Sequence, residues 1–436
     1  NNLGPATVST AAFNGNGVAQ GSGCSLQGRD CGNVTIENNV ISSNARDGIF
    51  MSSGSGNNIV RNNYIGTNSS GTAFGNTGNG ITIFNDSNSI YTNTIANNGG
   101  SGITIMRNTN ITIGNTTYGV PLLLPIPSTA QNNRISQNSI FDNSGLPIDL
   151  TAYSGGWGST GDSGFVFPNL YPRGVTPNDG VLSSTLPSNA GTFGNRDMDY
   201  PIFTKLLVKN FGGISNQGTL TISGFVGLYG GSSSMGMSTV EVFESDNTPS
   251  DQNGEIFLTD GQNIAHPEGS QYLGTCIADA NGVFTDCVIN LPASSPAITW
   301  QTARKIVGTA TLCDTNPCSG NTTLGNTSEF GTDLAPTAFM GSVSGKVYSQ
   351  ITNIGYANQN ISISGKDSLG NTFSASVATF SSPVTAGDTF NIDINGSPVS
   401  CTAPGNFAIG EYYFCDIPAS DPDGYVINQA GQPSAS

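Results

Sequence analysis

The chain has 436 residues, only 10% of them charged, with a formal net charge of −16 and a pI near 4.1. Thirteen Lys and Arg leave no basic patch for nucleic acid, and no apolar run approaches the roughly 20 residues of a membrane-spanning helix, so neither partner is expected. The length calls for two to four domains, and the preference for Ile, Val, Thr, Ser and Asn over Leu, Glu, Lys and Ala predicts strands and turns throughout.

Residues 1–32 read as a polar, Gly-rich arm with one strand candidate, Ala6–Asn14. This arm is expected either to cap the first repeat or to add as an exchangeable strand to a neighbouring copy. The N-terminus lacks a basic region followed by an apolar one, so a mature chain whose signal peptide has been removed is expected.

From residue 33 the sequence repeats. The Gly-Ile pairs Gly48-Ile49, Gly80-Ile81 and Gly102-Ile103 each follow a phrase of the form N-x-I-x-x-N-x-I: NVTIENNVISSN, NNIVRNNYIGTN and SNSIYTNTIANN, with NNRISQNSIFDN beginning at Asn132. A period of about 22 residues suits one coil of a parallel β-helix with three short strands. The Ile and Val residues would form inward ladders, among them Ile36, Ile59, Ile65, Ile81, Ile83, Ile90, Ile95, Ile103, Ile105, Ile135 and Ile140. The recurrent Asn residues read first as turn formers, able to stack as ladders.

These phrases, with NYIGTNSSGTAFGN and the closing NSGLPIDLTAYSG…GVTPNDG, resemble secreted prokaryotic proteins with right-handed parallel β-helix repeats and trailing Ig-like β-sandwich domains. The resemblance implies an all-β chain: the arm at 1–32, a short β-helix with its exit segment at 33–197, and Ig-like sandwiches at 198–335 and 336–436. In the first sandwich, strand-like runs such as STVEVFES, QYLGTCIAD, GVFTDCVINL and KIVGTATLC recur at sandwich spacing. In the second, GSVSGKVY, NISISGKD, NTFSASVATF, DTFNIDIN and EYYFCDI do the same.

Eight cysteines fall as four close pairs, Cys24/Cys31, Cys276/Cys287, Cys313/Cys318 and Cys401/Cys415. Neighbour pairing as disulfides is the simplest reading and implies an oxidising, extracellular or cell-surface location. Zinc is the rival reading, with no two-residue Cys gaps and a single His to support it.

Chemistry is sparse in the solenoid. Asp142 and Asp149 are the nearest approach to a hydrolytic carboxylate pair, and Arg61, Arg107 and Arg134 could hold a uronate if they lay on adjacent coils. His266 reads as a surface loop residue. No catalytic residue is assigned. No cofactor is expected beyond Ca²⁺, for which Asp246, Asp251, Asn253 and Glu255 concentrate oxygen ligands in one loop without EF-hand spacing. Nine N-x-S/T sequons occur, of which Asn68, Asn115, Asn321 and Asn326 are the glycosylation candidates. Tyr64, Phe84 and Tyr91 are candidate outward aromatics for stacking on sugars.

The leading functional expectation is a non-enzymatic extracellular structural or adhesive protein. Its partners would be copies of itself, joined head to tail through open coil edges, or extracellular glycans. A polysaccharide-degrading enzyme, uronate lyase or glycosidase, and a glycan-binding adhesin without polymerisation are the alternatives.

Overall fold

The structure is a computed structural model that describes residues 18–20, 33–51, 56–108, 130–153, 175–176, 178–180, 182, 194–209, 218–228, 230–246, 266–291, 305–315, 317–335, 338–346, 355, 357–366, 372–418 and 426–429. It divides into two compact units. The first comprises residues 1–204, 223–287 and 305–334, and the second 205–222, 288–304 and 335–436. The expected 198–335 sandwich is therefore shared between units, and most of it belongs with the coils.

The repeats stack as a parallel β-helix with three sheets. Sheet A runs Val18–Gln20, Ile49–Met51, Ile81–Ile83, Ile103–Asn108 and Ile148–Tyr153. Sheet B runs Thr35–Glu37, Ile59–Arg61, Ser89–Tyr91 and Arg134–Ser136, and sheet C begins Val40–Ile41, Tyr64–Ile65, Thr94–Ala96 and Ser139–Phe141. The registers place like on like: Ile49, Ile81, Ile103 and Ile148 align in sheet A, and Ile36, Val60, Ile90 and Ile135 in sheet B. These side chains, with Ile41, Ile65, Ile95 and Ile140, form one buried column, where each fully buried branched side chain contributes about 1.5–3 kcal/mol. Of the arm, Val18–Gln20 pairs in parallel with Ile49–Met51 of its own chain. The candidate strand Ala6–Asn14 lies outside the described residues.

The Asn residues divide the corner work between neighbours. At Asn38-Asn39, Asn57-Asn58, Asn62-Asn63, Asn97-Asn98 and Asn132-Asn133 the first residue has a left-handed φ between 55° and 60°. Asn tolerates that region because its short side chain satisfies the local backbone. The second turns its side chain inward as a ladder rung. In one ladder the amide oxygen of Asn93 accepts from the backbone N–H and Nδ2 of Asn63, at 3.0 and 2.9 Å, and Asn138 does the same for Asn93 at 2.9 and 2.9 Å. A second ladder runs Asn44, Asn76, Asn98, Asn143, and a third Asn58, Asn88, Asn133. A rung inside a ladder, such as Asn93, thus accepts from the coil before it and donates to the coil after it.

The Gly-Ile pairs have an equally local cause. A Cβ on Gly48 would sit 2.8 Å from Gly80 O, one on Gly80 2.6 Å from Gly102 O, and one on Gly102 2.7 Å from Pro147 O. Backbone passes over backbone there, and only glycine leaves the room.

After the fourth coil, sheet C continues without a break into the downstream strands. Glu268–Ile277 adds antiparallel to Ser139–Phe141 through Ile140 and Gly269, followed by Thr239–Asp246, Ile306–Cys313 and Gly325–Thr327. Phe243, Val307 and Phe330 join the column of solenoid isoleucines, so the two parts of this unit share one core.

In the second unit, Ala338–Lys346 pairs antiparallel with Glu411–Pro418. A five-stranded antiparallel sheet runs Ser397–Thr402, Thr389–Ile394, Thr372–Ala378, Asn360–Lys366 and Val426–Gln429. Ile361, Ile363, Phe373 and Ile392 pack with Tyr412 and Phe414 between the two sheets, and Cys401–Cys415 links them. This is a sandwich core with a disulfide across it.

Candidate functional site at the closing coil

Among the described residues, no further coil follows Arg134–Tyr153 to accept its inward-facing donors. In each sheet a downstream side chain fills that need. On sheet C, both oxygens of Glu268 lie 3.3 Å from Asn143 N, and Asn143 Nδ2 donates to Oε1 at 3.2 Å. On sheet B, Glu241 accepts from Ser136 Oγ at 2.5 Å and Gln137 N at 2.7 Å. On sheet A, Glu329 accepts from Leu150 N at 2.8 Å and Thr176 N at 2.5 Å. Asn195 Oδ1 takes Asn133 N, Asn326 Oδ1 takes Asn132 N, and Thr327 Oγ1 takes Ile135 N. The three glutamates are at most 3% exposed.

Burial pushes the Glu241 carboxyl up, opposed by its two donors and the charge of Arg134. It pushes Glu329 up further, assisted by the nearby charge of Asp149. Arg134 is 4% exposed and its pKa is lowered by that burial. Its Nη1 donates to the carbonyls of Gly320 and Thr323, both in the loop that follows Cys318.

Several expectations change on this geometry. Asp142 sits at a corner with φ 55°, whereas Asp149 lies on sheet A, where it accepts from Ser101 Oγ at 3.4 Å. The carboxylate electrostatically coupled to Asp149 is Glu329, and both of its oxygens are taken by backbone N–H groups. Arg61, Arg107 and Arg134 do not form a row. Arg61 registers with Glu37 and Tyr91 on sheet B, Arg134 with Ser89, and Arg107 with Ala152 on sheet A. Arg61 donates to Tyr91 Oη at 3.1 Å and bridges Glu37 at 2.5 Å, bonds that raise its pKa. His266, expected at the surface, is 2% exposed; its Nδ1 lies 3.0 Å from Phe330 O and its ring stands edge-on to Tyr200. The hydrophobic column draws it in, together with the strand immediately after it. Phe84 is buried against Phe50 and Tyr91 is 8% exposed, while Tyr64 is half-buried.

Three of the neighbour pairings are disulfides, Cys276–Cys287, Cys313–Cys318 and Cys401–Cys415. Cys24 and Cys31 lie outside the described residues. So do Asp251, Asn253 and Glu255 of the calcium expectation; Asp246 ends its strand opposite Glu268. Among the sequons, Asn68 caps its own turn through Ser70 N and Thr72 N, Asn321 is half-buried, and Asn115 is not described. Asn326 is 3% exposed and its Nδ2, the atom a glycan would need, donates to Asn132 Oδ1 at 3.0 Å, so the folded chain offers no glycan site there.

Sequence reasoning had no route to Glu241, Glu268 and Glu329, because their partners lie 104 to 179 residues away. No helix among the described residues is long and apolar enough to cross a membrane. No solved structure matches the chain. Residues 6–156, which include all four described coils, match the family model of the right-handed β-helix region.

Proposed function

We propose that the protein is a non-enzymatic extracellular component with a structural or adhesive role. The observation that carries this reading is the closure of the solenoid by its own downstream strands. The buried carboxylates and the buried guanidinium of the closing coil hold backbone groups in place, and the coil stack and its downstream strands share one continuous sheet. That construction makes a stiff body rather than a reaction site. Three disulfides support an oxidising location.

The finer expectation is head-to-tail assembly through open coil ends. The closing coil already carries the strand Glu268–Ile277 on its sheet C edge. A filament made by stacking that coil on the first coil of another copy would have to displace this strand and the three glutamates. A second reading, a glycan-binding adhesin, draws on the sheet B row Glu37, Arg61 and Tyr91, where Arg61 keeps 40% of its side chain exposed.

Two measurements on the full chain test the proposal. Negative-stain electron microscopy is expected to show discrete particles at micromolar concentration. Incubation with a panel of uronate polymers and Ca²⁺ is expected to release neither unsaturated products nor reducing ends. Turnover of any polymer above the no-protein control would overturn the non-enzymatic reading.

A further inference from the structure

The pair Cys313–Cys318 sits at the edge of the closure. Cys313 ends the strand Ile306–Cys313 and registers with Gly325, and a Cβ on Gly325 would lie 2.8 Å from Cys313 Sγ. Cys318 N donates to Thr239 Oγ1 at 3.1 Å. The loop after Cys318 carries the two carbonyls that hold Arg134, at Gly320 and Thr323, and Asn321 Nδ2 reaches Gln137 Oε1 at 3.5 Å. Immediately beyond, Asn326 and Thr327 accept from Asn132 N and Ile135 N. One short disulfide loop therefore leads into every contact described on the sheet B side except those of Glu241 and Asn195. The contact of sheet C, through Glu268, comes from another segment; that of sheet A comes from Glu329, two residues beyond Thr327, which Thr176 N also holds at 2.5 Å.

We propose that Cys313–Cys318 is a thiol-sensitive fastener for the sheet B edge of the solenoid. Cys313 is 4% exposed, whereas Cys318 is half-buried, with exposed Pro317, Ser319 and Gly320 around it. A small thiol reaches the Cys318 sulfur first. Its thiolate bonds to Cys318 Sγ as the Cys313 sulfur leaves as a thiolate. A second thiol then takes the small thiol from the mixed disulfide, giving two protein thiols and one oxidised thiol pair. Once the loop is free, Arg134 loses its carbonyl acceptors while still buried, and a buried cation without acceptors is strongly unfavourable. It draws water and opens the loop further.

The experiment is hydrogen exchange on the full chain, comparing the native protein with a Cys313→Ser/Cys318→Ser variant and with Cys276→Ser/Cys287→Ser as the control. The amides of Asn132 and Ile135 are expected to exchange at least about tenfold faster in the first variant. Asn143 and Leu150, held by Glu268 and Glu329, are expected to stay protected in both. Unchanged exchange at Asn132 and Ile135, or equal acceleration at all four amides, would overturn the proposal. Arg134→Gln, with the disulfide intact, is expected to reproduce the local pattern. Should the double variant fail to fold, brief treatment of native protein with dithiothreitol, monitored by alkylation of Cys318, makes the same comparison.

Discussion

Glu268 occupies the place that a further asparagine would take above Asn143: its Oε1 lies 3.3 Å from Asn143 N and 3.2 Å from Asn143 Nδ2. The same two donors on Asn98 reach Asn143 Oδ1 at 3.1 and 2.9 Å. The ladder is continued by a residue 125 positions downstream, with a carboxylate oxygen in place of an amide oxygen. The end of a repeating stack is thereby made to look, to its last rung, like another repeat.

A rung in the middle of a ladder should be costly to remove. Asn93 is 1% exposed; it accepts twice from Asn63 and donates to Asn138 Oδ1 and Val60 O. Asn93→Ala leaves buried partners on both sides unmet and is expected to destabilise the first unit by about 2–4 kcal/mol. Urea unfolding, tracked by a probe confined to the solenoid, measures it. Asn62→Ala, at the exposed left-handed corner one residue earlier, is expected to cost less, about 1 kcal/mol.

The Gly-Ile pairs give a steric prediction. Gly80→Ala places a Cβ 2.6 Å from both Gly102 O and Ile95 Cγ2. Forcing the coils apart is expected to cost about 1–3 kcal/mol by overpacking. Gly71→Ala is the contrast: nothing lies within 4 Å of its Cβ, and only its φ of 74° resists, so the loss is expected to be about 1 kcal/mol. Equal losses for the two variants would contradict the backbone-crossing explanation.

Acid should strengthen the first unit. Burial raises Asp199 to about 7 and Asp47 to about 6, and raises Glu241 and Glu329 as well. An acid whose folded pKa exceeds its unfolded value binds its proton more tightly when folded. Its contribution is greatest below the unfolded value and is lost as pH rises through the folded one. The melting temperature of this unit should therefore fall between pH 5 and pH 8. Asp47→Asn keeps an acceptor for Asn79 N and removes the charge. After discounting for solvent screening at a half-buried site, it is expected to stabilise by about 1 kcal/mol at pH 8 and by nothing at pH 4. Calorimetry across that range measures both.

The repeat was readable because its cause is local. Ile at strand spacing, Gly before it and Asn at the corners each answer to a neighbour one coil away. The reading of Asn as a turn former was half the truth: Asn62 makes the turn and Asn63 makes the rung, and a doublet of one residue type hides that division. The closure was not readable. In Thr239–Asp246, alternation sets Glu241 on the face opposite Val240 and Val242, and such a residue reads as solvent-facing. In the fold that face meets the closing coil, and Glu241 is 3% exposed. His266 misled for the same reason, since a polar residue beside proline and glycine reads as surface until a core is known to lie beneath it.

Completion of the ladder by glutamate is tested most directly by a pair of substitutions at Glu268. Glu268→Gln retains an amide oxygen to accept from Asn143, whereas Glu268→Ala strands two buried donors. In urea at pH 7 the Gln variant is expected to stay within about 1 kcal/mol of the native chain and the Ala variant to lose about 2–4 kcal/mol. If Glu268→Ala were as stable as Glu268→Gln, the last rung would need no acceptor and closure by the downstream strands would be wrong.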